Sequence, residues 1–140
     1  MSSITAALAL SQLKRIESII SKRRKKAEYF SQKFDQINEI TIPFDEGFRH
    51  VFQMYSIRLK NKAIRNSLMK HLTKNGIMTK IYFEPVHKTP YYNKLGFSKI
   101  SLPITNMISD QILSLPIFPN MKNNEMKKIV DVIEDFFTTR

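Results

Sequence analysis

Residues 82–92, Tyr-Phe-Glu-Pro-Val-His-Lys-Thr-Pro-Tyr-Tyr, gather side chains that can do chemistry. The window holds three of the chain's five tyrosines, one of its three histidines and two of its six prolines. Pro85 and Pro90 restrict the backbone on either side of His87, so the imidazole is held in one place, as a binding group must be. A packing role is the alternative reading of the same histidine. Glu84 lies in the same loop, but no second carboxylate is near it in sequence to make a general acid/base pair. His50, His71 and His87 lack metal-ligand spacing and have few carboxylates close by. His71 follows Leu68 by three positions and reads as a packed helix residue, while His50 opens a strand and fits either role. No lysine has a recognisable setting that would prepare it for Schiff-base chemistry. From the residues alone, this chain binds something and catalyses nothing.

The totals narrow the partners. A chain of 140 residues makes one domain with a modest core. It has no cysteine, which excludes disulfides, thiolate nucleophiles and thiolate metal sites and suits a cytoplasmic protein. No apolar run approaches the ~18–20 residues that span a bilayer, and the start lacks a signal-peptide pattern, so no membrane is expected. Three glycines, at 47, 76 and 96, are too few and too scattered for a phosphate-cradling loop. The net charge of +11 is the unusual total, and it points towards anionic partners. Eight of the 23 basic side chains fall in the first 36 residues, against three acidic ones. Five are consecutive, Lys22 to Lys26. On a helix such a run points in every direction, so it reads as a solvated face before it reads as an RNA-binding patch. Phe52 and Tyr55, expected on opposite faces of a strand, offer no stacking platform for bases.

The elements that must position these residues follow from periodicity. Ile4 to about Ile37 has no proline or glycine, and Ser3 can cap it. Leu13, Ile16, Ile20, Ala27, Phe30, Phe34 and Ile37 form an apolar stripe interrupted only by Arg23. One helix about 50 Å long is predicted, an arm that leaves its own domain, with an apolar start that needs cover. Pro43 and Asp45-Glu46-Gly47 make a turn. His50–Leu59 reads as a strand with Val51, Tyr55, Ile57 and Leu59 on one face and Phe52 and Met54 on the other. A helix from about Ala63 to Asn75, stopped by Gly76, and a strand from Ile77 to Phe83 follow. Pro103 opens a helix with Ile104, Ile108 and Ile112 aligned. Ser114–Phe118 is a short strand, and Asn123 can cap a last helix with Met126, Ile129, Val130, Ile133, Phe136 and Phe137 on its buried side. The expected fold is α/β (α+β), a long N-terminal helix followed by a small sheet of about three strands with helices packed on it. Residues 1–37 would be the linking arm and 38–140 the small domain.

The order of signals resembles one family. Met1-Ser-Ser-Ile-Thr-Ala-Ala-Leu-Ala-Leu-Ser-Gln-Leu-Lys-Arg-Ile, Lys22-Arg23-Arg24-Lys25-Lys26-Ala27-Glu28-Tyr29 and His50-Val-Phe-Gln-Met-Tyr come first. Asn75-Gly-Ile-Met-Thr, Tyr82-Phe-Glu-Pro-Val-His, Leu95-Gly-Phe and Leu113-Ser-Leu-Pro-Ile-Phe-Pro follow. Together they resemble the C-terminal part of the DegT/DnrJ/StrS-type sugar aminotransferases, pyridoxal-phosphate enzymes that place an amino group on a keto sugar attached to a nucleotide. The resemblance implies the small domain of the aspartate aminotransferase fold, with the basic run on the outer face of the linking helix. It places the 82–92 loop at the mouth of the active site, which makes Tyr82, Glu84 and His87 the implied substrate-binding residues. It also implies that the Schiff-base lysine, the acid facing the pyridine nitrogen and the phosphate grip belong to a large domain not among these residues. So does an asparagine usual just before Met1. Pyridoxal phosphate is thus implied for the complete enzyme and not for this chain alone. The expected partners are an aminotransferase large domain, in the same chain or a separate one, a nucleotide sugar and further copies of the chain, rather than nucleic acid. Two positions depart from the family's pattern: Asn106 stands where a glutamate is usual, and Gln53 where a histidine is frequent. The rival expectations are a separately encoded subunit of a split enzyme and a basic module for RNA or another polyanion.

Overall fold

The computed structural model describes residues 1–45, 47 and 49–139, with the side chain of Ser98 left aside. The turn expected at 45–47 therefore lies partly outside the described residues. Helices α1 (Ser3–Leu13) and α2 (Ile16–Phe34) replace the single long helix. The ladder tightens where they meet: the Arg15 N–H donates to Gln12 O, three residues back, and Arg15 sits at φ −110°, ψ 2°. Neither Lys14 nor Arg15 is a helix breaker, so composition carries no sign of this bend. Ser2, not Ser3, caps α1, its hydroxyl accepting from the Thr5 N–H at 3.3 Å.

The apolar stripe is used unequally. Ala27, Phe30 and Phe34 on α2 are fully buried, while Leu8 and Leu13 on α1 are 63% and 65% exposed and no residue of α1 is buried. The segment without packing inside the chain is thus Ser3–Leu13; the C-terminal half of α2 belongs to the core. Phe30 and Phe34 stack at 5.6 Å and both approach the Tyr55 ring, at 5.4 and 6.4 Å. The Tyr55 hydroxyl is 2.9 Å from Ser31 Oγ, and burial pushes its pKa up to about 12 against the pull of that hydrogen bond.

Three antiparallel strands make the sheet: β1 (Ile40–Thr41), β2 (Tyr55–Leu59) and β3 (Ile112–Leu115), in the order β1-β2-β3. The register pairs Ile40 with Leu59, Ile57 with Leu113 and Tyr55 with Leu115, so these six side chains share one face. They join Leu68 and Leu72 of α3 (Lys62–Lys74) and Met126, Ile129, Val130 and Ile133 of α6 (Asn123–Thr138) in one core. The α+β class and three-stranded sheet match the expectation, but the strands are a different set. Ile40–Thr41 pairs as an edge strand. The segment 77–83 contributes a single bridge, in which Lys80 and Ser114 exchange backbone hydrogen bonds at 2.8 and 3.1 Å.

The predicted strand at 50–54 is also absent, because the backbone turns there and a distant side chain holds the turn. Arg49 and Phe52 adopt positive φ (57° and 47°), which turns the chain and reverses the alternation. Phe52 is therefore buried beside Tyr55, with ring centroids 6.3 Å apart, and Val51 is exposed, the opposite of the pattern read from spacing. The turn is held by Arg23, the interruption in the α2 stripe. Its Nη1 donates to the carbonyls of Phe52, Gln53 and Ile117 at 3.0, 3.0 and 3.1 Å.

Helix ends follow ordinary capping chemistry. Asn61 accepts from the Ile64 N–H at 2.9 Å to start α3. Gly76, at φ +74°, ends α3 as Ile77 N–H reaches back to Leu72 O and Gly76 N–H to Thr73 O. Lys122 rather than Asn123 precedes α6, its N–H donating to the Glu125 carboxylate at 2.6 Å. Between the bridge at Lys80 and β3 lie a 3-10 turn at Val86–Lys88, the short helix α4 (Pro90–Lys94), a second 3-10 turn at Phe97–Lys99 and α5 (Pro103–Gln111). Ile112 leaves the α5 stripe to begin β3.

Candidate functional site

The segment after Lys80 carries the predicted site residues, and the fold separates them. Tyr82, 39% exposed, stands between two clefts. One, of about 340 Å³, is walled by Gln53 and Met54 before β2, by Met78, Lys80 and Tyr82, and by the end of β3 and the chain after it, Ser114 to Phe118. The other, of about 350 Å³, lies between Tyr82, Phe83 and Pro85 and the Ile104, Ile108 and Ser109 side of α5. Glu84 is exposed and lines neither cleft. His87, within the loop's 3-10 turn, is 8% exposed, and its Nε2 has no hydrogen-bond partner among the described residues. The loop itself is rigid for local reasons. Lys88 N–H donates to Pro85 O at 2.8 Å, and the Thr89 hydroxyl and N–H both donate to Val86 O, at 2.8 and 3.1 Å.

The other histidines are engaged structurally. His50 Nδ1 accepts from the Phe52 N–H at 2.9 Å, supporting the positive-φ turn. His71 lies 3.5 Å from Asp135 and packs on Phe136. Among the described residues, no group of three or more His, Asp or Glu could hold a metal ion. No helix among them is long and apolar enough to cross a membrane.

The basic run divides on folding. Arg23 is consumed by the three-carbonyl clasp, and Arg24 pairs with Asp45 at 3.0 Å and donates to His50 O at 3.2 Å. Arg49 pairs with Glu17 beside them. The groove along this face of α2 contains Glu17 and Glu28 among its lysine and arginine side chains, so it is of mixed charge. Lys62 Nζ of α3 lies 2.9 Å from Asp110 of α5 and, with the charges of Lys88 and Arg65, holds that carboxyl below its usual range. Asn106, one turn earlier, has a buried amide oxygen without a hydrogen-bond partner, and the buried Arg65 guanidinium likewise leaves Nε and Nη1 unpaired.

Sequence reasoning missed the walls of the first cleft. In sequence Gln53 stands out only as a departure from the family's pattern, and no spacing marks Met54, Met78, Lys80 or Phe118 as site residues. They come from three segments and meet only through tertiary contacts. The single signal was Arg23, a cation inside an apolar stripe, whose clasp holds Gln53 against Ile117.

Residues 1–134 match the DegT/DnrJ/EryC1/StrS aminotransferase family. The spore coat polysaccharide biosynthesis protein SpsC of Bacillus subtilis is 30% identical over 142 aligned residues, which cover 96% of this chain and 36% of that protein. The Helicobacter pylori aminotransferase PseC, involved in the biosynthesis of pseudoaminic acid, shares the fold with a TM-score of 0.89 at 23% identity, over 98% of this chain and 38% of its own. An aminotransferase of the same family from Brucella abortus is 26% identical with a TM-score of 0.83, over 97% and 36%. The chain therefore spans about a third of the length of the relatives it matches. Members of the family depend on pyridoxal phosphate. That cofactor needs a lysine for the Schiff base and an acid at its ring nitrogen in a pocket shielded from water. No lysine or carboxylate is buried among the described residues, so these side chains do not form such a pocket. With the match running through 134 of 140 residues and the small-domain fold in place, the chain belongs to the DegT/DnrJ/EryC1/StrS aminotransferase family.

Proposed function

We propose that this chain is the small C-terminal domain of a pyridoxal-phosphate-dependent nucleotide-sugar aminotransferase. Its role is to cover the substrate side of an active site whose cofactor is held by a large domain. The observation that carries the reading is the family match over nearly the whole chain combined with its coverage of only about a third of each relative. Tyr82 lies on the cleft wall and Glu84 on the exposed loop, where each can meet a sugar nucleotide; the His87 side chain is buried and serves the loop's structure. Exposed α1 supports the same reading. It is apolar on most sides and 11 residues long, too short for such a surface to hold a helix in water by itself. A large domain, on the same or a separate chain, would bury it. Alone, the 140 residues bind no cofactor and transfer no amino group.

The test is a chimera that joins the first two thirds of SpsC to this chain at the aligned Met1. Amino transfer from glutamate to a nucleotide-linked keto sugar is expected from the chimera and not from the 140 residues. A chimera that folds and holds pyridoxal phosphate but transfers no amino group to any nucleotide-linked keto sugar would overturn the proposal, as would transaminase activity in this chain alone.

A further inference from the structure

We propose that the buried Arg65 guanidinium and the Asn106 amide, level with each other on α3 and α5, hold a small monovalent anion of the size of chloride. Neither residue walls either cleft, so the assignment is independent of the nucleotide-sugar reading.

The register of the two helices brings the pair together. β2 leads into α3, and α5 leads into β3, at the same end of the sheet, where Arg58 pairs with Ile112. From that end the contacts step away in antiparallel order. Gln111 Nε2 donates to Lys60 O at 3.1 Å, and Lys62 Nζ lies 2.9 Å from Asp110. One further turn of each helix, three residues of α3 and four of α5, advances about 4.5 and 6 Å and sets Arg65 level with Asn106.

Both side chains have buried polar atoms in need of a partner. Arg65 is 4% exposed, and its Nε and Nη1 make no hydrogen bond among the described residues. Nor does the buried Asn106 Oδ1. Arg65 forms no ion pair among the described residues, and a buried cation without a counter-charge is costly. The nearby carboxylate does not supply that charge. Asp110 is 45% exposed and is engaged by Lys62, so water and a competing cation weaken its pull. Lys62, Arg65 and Lys88 all act on Asp110, so three cations share one carboxylate and the cluster is positive.

A bridging water could satisfy the hydrogen bonds but would leave the charge. An anion answers both: a half-turn of the Asn106 amide presents its Nδ2–H as a second donor beside the guanidinium. A small monovalent ion is favoured over sulfate or phosphate, because the cost of taking a charge out of water rises steeply with its valence. The consequence falls on α5. None of its residues is buried, so charge between α3 and α5 does work that apolar packing does elsewhere in the fold.

The experiment combines chloride nuclear magnetic resonance line widths of the 140-residue chain with urea unfolding at fixed ionic strength, sodium chloride being exchanged stepwise for sodium gluconate. Chloride is expected to broaden in the presence of the protein, and the unfolding midpoint to rise and level off as one site saturates. Hydrogen exchange in α5 should slow in parallel. Asn106→Asp puts a fixed carboxylate on the same atoms, so it should keep the fold and weaken chloride by about tenfold or more. Lys88→Met, which removes one surplus charge from the surface, should weaken chloride a few-fold. Arg65→Met should remove the response; Asn106→Asp decides the matter if that variant does not fold. The proposal is overturned if line width and stability ignore chloride at fixed ionic strength, or if gluconate serves as well. An undiminished response in Asn106→Asp also overturns it, by placing the ion on surface lysines.

Discussion

Arg23 and Arg24 are adjacent in sequence and identical in type, yet their replacement by methionine should differ several-fold in cost. Methionine keeps most of the aliphatic stem, so the comparison isolates the guanidinium. Arg23 Nη1 serves three carbonyls from two chain segments, at 3.0–3.1 Å. One nitrogen has two protons, so two bonds' worth of charge-assisted donation is the most it supplies. At about 1.5–3 kcal/mol each, reduced because Arg23 is only half-buried and water can reach part of the site, the loss is about 3 kcal/mol. That is a large share of a total stability on the order of 5–15 kcal/mol. Arg24 makes one ion pair, with side chains 40% and 20% exposed, and one bond to His50 O at 3.2 Å, so about 1 kcal/mol is expected. Urea unfolding followed by far-ultraviolet circular dichroism is the assay, since the chain has no tryptophan. Hydrogen exchange at residues 52–54 should accelerate in Arg23→Met and stay unchanged in Arg24→Met. Equal and small losses for the two variants would show that water replaces the clasp without penalty and would refute the reasoning.

Two further outcomes follow from the core and from α1. Tyr55 is neutral in the fold, with a pKa raised to about 12. A raised pKa means that the folded state keeps its proton more tightly than the unfolded one. The contribution is therefore complete below pH ~10 and is lost between pH ~10 and 12, by at most about 2.7 kcal/mol for two units. Tyr55→Phe should cost about 1 kcal/mol at neutral pH, for the bond to Ser31, and should lack that alkaline loss; matching wild-type and variant stability curves above pH 10 would contradict it. Removing residues 1–13 should change unfolding free energy by less than about 1 kcal/mol, because none of α1 is buried, and should abolish any concentration-dependent self-association measured by sedimentation. Self-association that survives the truncation would place the sticky surface elsewhere.

Much of the architecture can be read from local patterns because helices carry their own evidence. Ile64, Leu68 and Leu72, followed by Gly76, specify α3 to within a residue, since capping and 3.6-residue periodicity act within a turn or two. Pro103 at the start of α5 and the run from Met126 to Ile133 do the same. The family, too, is legible from ordered motifs spread along the chain. Strand partners and the cleft are not. Residues 50–54 and 77–83 have strand-like composition, but one is turned by a distant arginine and the other finds a single bridge. The placement of His87 is likewise a tertiary outcome: prolines announced a rigid loop, and only its packing decided that the imidazole lies under the surface while Tyr82 stays on it. By itself the sequence determined the helices, the small mixed core and the family, which rest on neighbours in the chain. The tertiary structure decided the phase of β2, the fate of each arginine in the basic run and the place of Lys80 beside a cleft, because those depend on groups 26 to 94 residues apart competing for the same carbonyls and the same apolar surface.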